Sequence, residues 1–173
     1  MIIESLTTGL VKGQSTNSTA TSFSALVATV TKPEASATRT VIDLGLGPKQ
    51  RSTLVVYPYG GNDNNDLINV KVSGWSRVHP VSGGQQMWVS SLICTVQATL
   101  SSTLVGLAGM PVVATEFFAD VLTLTTGIAV LVQGAADVDT AYFKCSTGPF
   151  ELIEITGDLD TGGDTMNWLY GWE

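Results

Sequence analysis

Five consecutive amide and acid side chains, Asn62 to Asp66, follow a glycine pair and precede an alternating apolar run. Oxygen donors at this density suggest calcium chemistry. Read as an EF-hand loop from Asn62, the donors Asn62, Asn64 and Asp66 fit. Leu67 stands where the loop needs glycine, and Ser73 where it needs a bidentate glutamate, so the pattern fails at both diagnostic places. A looser calcium site through Asp63 and Asp66 stays open. Gly60 and Gly61 accept positive φ, and Asn and Asp bond to their own backbone, so a polar loop between two strands is the expected structure. Asp158, Asp160 and Asp164 form a second acidic group, with the spacing of a chelate or an acid–base pair. Gly162 and Gly163 favour a turn there too. The expectation is no metal.

His79 is the sole histidine, which excludes multi-histidine zinc sites. A hydrolase using His79, Asp63 and a serine is formally possible. The chain lacks a G-x-S-x-G elbow, however, and His79 directly precedes Pro80 at a strand end. No phosphate-binding glycine loop of either common type is present. The chain is therefore expected to be no enzyme and to need no cofactor. Cys94 and Cys145 are too few for a secreted disulfide scaffold. They are expected as half-buried free thiols in strands, with one disulfide left open.

The aromatic residues carry the remaining chemistry. Trp75, Trp88, Trp168, Tyr170 and Trp172 suit stacking on sugars or anchoring a protein interface, and equally a sandwich core. In an extended tail Trp168, Tyr170 and Trp172 fall on one face. Trp75, Trp168, Tyr170 and Trp172 are the interface candidates, against this chain's own sheet or a neighbouring subunit.

The elements that must position these residues read as β-structure. Strands are expected over 23–31, 39–44, 51–59 (ended by Pro58), 67–78, a long and bulged 87–101, 128–133, 140–146 and 149–156. The segment 119–126 reads as a strand in preference to a short helix starting at Thr115. In 67–78, Ile68, Val70, Val72, Ser76 and Val78 alternate with Asn69, Lys71, Ser73 and Arg77, which marks one buried face. Trp75 falls on the polar side and is expected at a sheet edge or an interface. Short strands with Gly, Pro and Asp turns predict an all-β fold: a single-domain antiparallel β-sandwich or jelly-roll-like barrel over 23–173. The Ser/Thr/Gly-rich residues 1–22 cannot bury enough surface to fold alone and are expected as an irregular, extended N-terminal arm.

Composition narrows the function. The chain has 173 residues and a net charge of −7. Its eight Lys and Arg form no basic face for phosphate, so neither nucleic acid nor an anionic membrane is an expected partner. Charged residues make up 13%, against about 25% in an ordinary domain, and mean hydropathy is +0.27. No apolar run reaches the ~18 residues of a spanning helix, and the first residues do not read as a signal peptide. A charge-poor, apolar chain of this kind suits life inside an assembly, or else a large Ser/Thr surface.

Two segments, "TLVVYPYGGNDNNDLINVKVSGW" and "AYFKCSTGPFELIEITGDLDTGGDTMNWLYGW", give the chain a texture that resembles small head-associated structural proteins of tailed bacteriophages. The likeness spans 53–78 and 142–170. It implies a non-enzymatic virion protein, a capsid decoration or cement protein made in the host cytoplasm and placed on the capsid surface. The implied partners are the major capsid protein and further copies of the chain, with a trimer favoured. The alternative is a carbohydrate-binding or tail-adhesin module, with Trp75 and the C-terminal aromatic residues as a platform beside loop 60–66.

Overall fold

The computed structural model describes residues 11–16, 28–45, 53–60, 66–79, 85–103, 117–133, 141–159 and 165–173. Among them lie eleven strands and no helix. In chain order they are β1 (Val11–Thr16), β2 (Ala28–Thr29), β3 (Arg39–Asp43), β4 (Thr53–Gly60), β5 (Leu67–Val78) and β6 (Met87–Thr103). Then follow β7 (Phe117–Gly127), β8 (Val130–Val132), β9 (Tyr142–Ser146), β10 (Leu152–Leu159) and β11 (Thr165–Trp172).

Every described pairing is antiparallel. The path through the sheet is β1-β11-β4-β7-β6-β5-β10-β3, with β2 added to β6, β9 to β4 and β8 to β9. The two ends of the path, β1 and β3, lie beside each other, so the sheet curls around one inner face. Trp168 of β11 donates from Nε1 to Thr40 Oγ1 of β3 at 3.2 Å, a bond between strands of the two ends. The expected all-β, sandwich-like antiparallel fold is the one observed. Of the expected arm, residues 11–16 form β1 along β11; residues 1–10 and 17–22 lie outside the described residues.

The inner face follows from strand alternation. Leu54 and Val56 on β4, Ile68, Val70 and Val72 on β5, Val96, Ala98 and Leu100 on β6, Phe143 on β9, Ile153 and Ile155 on β10 and Trp168 on β11 are all buried in one cluster. Each large side chain moved from water into such a core contributes about 1.5–3 kcal/mol. Long β6 is bulged as expected: its register against β5 slips beside Val72, and against β7 near Thr95 and Leu100.

Two expectations are corrected. Pro58 does not end its strand; β4 runs on to Gly60, with Pro58 opposite Trp168 of β11. The other edge of β4 explains this. It is shared by β9 along 53–56 and by β7 along 59–60, and neither strand covers Tyr57 and Pro58. A residue without an N–H fits that gap. Trp75 is not at a sheet edge, because β5 lies between β6 and β10.

Candidate functional site

The register of β5, β10 and β3 puts Lys71, Ser73, Trp75 and Arg77 on the outer face, opposite Thr156, Glu154 and Leu152, and beyond these Arg39, Val41 and Asp43. This face carries a group of charges that pair with one another. Glu154 accepts from the Trp75 indole Nε1 at 3.1 Å and meets Arg39 Nη1 at 3.5 Å. Burial holds the Lys71 amine below its ordinary value, and the negative charge of Glu154 offsets part of that. Glu151 accepts from Arg77 Nε at 2.6 Å and from the Arg77 backbone N at 3.2 Å. The Arg77 guanidinium lies 5.4 Å from the centroid of the Trp88 ring, within cation–π range.

Around this group opens a depression of about 270 Å³ lined by Lys32, Asp43, Gly45, Arg77, Trp88 and Glu151. Lys32 and Asp43 close it as an ion pair at 2.5 Å, and the other Asp43 oxygen accepts from Gly45 N at 2.8 Å. Each of these charges faces an opposite charge. Such an arrangement fixes strands to one another.

The residues singled out by sequence fall in several places. Trp75 is 4% exposed and packs with Trp88 and Leu152, with Val41 at the margin. Trp168 is wholly buried in the main core. Both serve this chain's own packing, one of the two placements the sequence left open: the curled sheet encloses Trp168, while Glu154 and Leu152 engage Trp75. Tyr170 is half-buried and packs against the main core, and burial pushes its hydroxyl above the ordinary value. Trp172, at the end of the same face, is 37% exposed. The shared face of the three tail aromatics is thus real, graded from core to surface along β11.

His79 is exposed just beyond β5. Its postulated partner Asp63 lies outside the described residues, as do Asn62, Asn64, Asn65, Asp160 and Asp164. Asp66 is half-buried at the entrance to β5, and its backbone oxygen accepts from Leu100 N at 2.9 Å. Asp158 stands on β10 opposite Asn69. Among the described residues no group of three or more His, Cys, Asp or Glu side chains could hold a metal. Ser101 hydrogen-bonds Asp120 across β6 and β7. Cys94 and Cys145 are free, and both are buried fully rather than by half.

A different surface lies where β7 turns into β8. Gly127, at φ +85°, ends β7 against β6, where a Cβ would overlap the Ile93 carbonyl oxygen. The Ile128 amide then donates to that oxygen at 2.9 Å. The chain is held by its backbone, and the side chains project. Ile128 is 83% exposed and Val130 62%, with Val121 and Leu124 also exposed nearby in the chain. Behind them the sheet splits: β7 stays with β6, and β8 goes to β9. The Gln133 amide bridges the split, accepting from Leu122 N and donating to Leu122 O, each at 2.9 Å. No sequence motif announced this corner, although the uncharged run 121–130 was a usable sign.

No helix among the described residues is long and apolar enough to cross a membrane. Comparison of the chain with protein-family models, with curated proteins and with solved structures found no match in any of the three.

Proposed function

We propose that this protein is a non-enzymatic structural component of a bacteriophage head, a decoration or cement protein that binds the capsid surface. The observation that carries the reading is the β7–β8 corner. Ten successive residues, Val121 to Val130, carry no charge, and Ile128 and Val130 stand largely in water. An apolar, uncharged projection of this kind gains most when covered by another protein. Set between major capsid subunits, it would add buried area to the shell and favour the assembled state by mass action. The chain would act as a closed homo-oligomer, a trimer in the favoured form, after synthesis in the host cytoplasm. The ion pairs of the outer face fix strands to one another, which suits a rigid structural part.

The test is to compare particles assembled with the protein, without it, and with Ile128→Lys. The protein is expected in purified particles and is expected to raise their disruption temperature; Ile128→Lys is expected to weaken its retention. Absence from particles, or equal heat stability without it, would sink the proposal. The sugar-binding alternative requires a bare aromatic platform; Trp75 is 4% exposed, and of the C-terminal aromatic residues Trp172, at 37%, is the most open.

A further inference from the structure

Cys94 on β6 and Cys145 on β9 lie 51 positions apart in the chain and belong to different parts of the sheet path. Yet both side chains enter the same inner cluster, at 0% and 3% exposure. The register brings the two together: Gly127 of β7 is opposite Cys94, and Val130, three residues on, is opposite Lys144, the neighbour of Cys145, while parts of β6 and β9 lie within 8 Å between Cα atoms. A disulfide requires Cα atoms about 4.4–6.8 Å apart, a separation that strands in this contact can reach. Neighbours of the pair are apolar: Leu54 is opposite Cys145 on β4, and Val72 is opposite Cys94 on β5. Loss of the two S–H groups would therefore leave no polar partner stranded.

We propose that Cys94 and Cys145 are a latent disulfide site, a covalent staple between β6 and β9 that closes when the chain folds in the presence of a small-molecule disulfide. The chemistry is two exchanges. The thiolate of one cysteine attacks a sulfur of oxidised glutathione, forming a mixed disulfide and releasing one glutathione thiolate. The second cysteine thiolate attacks the protein sulfur of that mixed disulfide, forming the Cys94–Cys145 bond and releasing the second glutathione thiolate. The two protein protons end on two reduced glutathiones, so two electrons pass from protein to oxidant. The interaction with Cys94, and after it burial, push the Cys145 thiol above its ordinary value. The thiolate is the reactive form, and burial of both sulfurs keeps oxidant from them in the folded chain. Closure belongs to the folding chain, or to a rare opening of it.

The staple would close a long loop, and loops of this size give large stabilisation by restricting the unfolded chain. Reduced, unfolded protein is refolded in a buffer of oxidised and reduced glutathione, alkylated under denaturing conditions and weighed, with Cys94→Ala as the unpaired control. The expected product has lost two hydrogens, takes up no alkyl group, and melts on the order of 10 °C above the reduced protein. Cys94→Ala is expected to keep one alkylatable thiol and to melt no higher than the reduced form, since it empties a buried core position. Two alkylatable thiols in the natively refolded chain would overturn the proposal, as would a disulfide form melting no higher than the reduced one. Should Cys94→Ala fail to fold, the intact chain folded without oxidant supplies the unpaired control.

Discussion

Glu154 shows how one side chain can hold several strands. It takes the Trp75 indole proton and faces Arg39, so it ties β10 to β5 and to β3. Removing it leaves a buried indole N–H without its acceptor, a loss of about 1–3 kcal/mol. Glu154→Ala is expected to lower the urea midpoint accordingly, and Glu154→Gln, which keeps an oxygen, to lower it less. Titration gives a second prediction at this scale. Cys145 and Tyr170 both have raised values in the folded state, from ordinary values of 9.0 and 10.0. Above those values the unfolded chain loses protons that the folded chain keeps. The unfolded state then binds fewer protons, and stability falls as pH rises. Urea midpoints followed through the alkaline range should decline from about pH 9 through the thiol and further beyond 10 through the tyrosine, offset in part by Lys71, whose lowered amine acts in the opposite sense. Tyr170→Phe should remove the tyrosine part and leave the thiol part; an unchanged profile would contradict the assignment.

Among the elements, β5 was the most legible. Its residues alternate from Leu67 to Val72, and the strand has the expected bounds 67–78; beyond the bulge at Val72 the alternation lapses, with Ser73 and Trp75 buried and Val78 exposed. Alternation is a local property, so one strand displays it whatever its neighbours are. Neighbours are what the sequence hides. Pro58 looked like a terminator because proline removes a ladder bond, and only the handover of one β4 edge from β9 to β7 makes it harmless. Trp75 looked like an edge residue because it lies on the polar side of β5; Glu154, which engages it, is 79 positions away. The β7–β8 split is equally nonlocal, and Gln133 holds it with two bonds to the backbone of Leu122. Gln133→Ala is expected to speed hydrogen exchange at the Leu122 amide and at β8, with a global loss of about 1 kcal/mol. Unchanged exchange there would mean that the bridge contributes nothing.

For the whole molecule, composition foretold a charge-poor, β-rich body, and that is the fold observed. The exposed corner at Ile128 was not foretold, since a run of apolar residues reads alike whether covered or bare. Light scattering on a sizing column is the decisive check on the assembly proposal. A closed oligomer unchanged by EDTA is expected, and Ile128→Lys should shift it toward monomer if the corner also joins copies. Dissociation in EDTA would point instead to metal held by the acidic segments. The sheet path carries one more consequence. β1 finds its described partner in β11, and β3 in β10, more than a hundred positions along the chain. A ribosome has made most of the protein before either pairing is possible. Closing such long loops first is slow, placing refolding in the millisecond-to-second range or beyond. Until the last strands emerge, the earlier ones wait with their apolar faces uncovered, and the nascent chain is at its most vulnerable to aggregation.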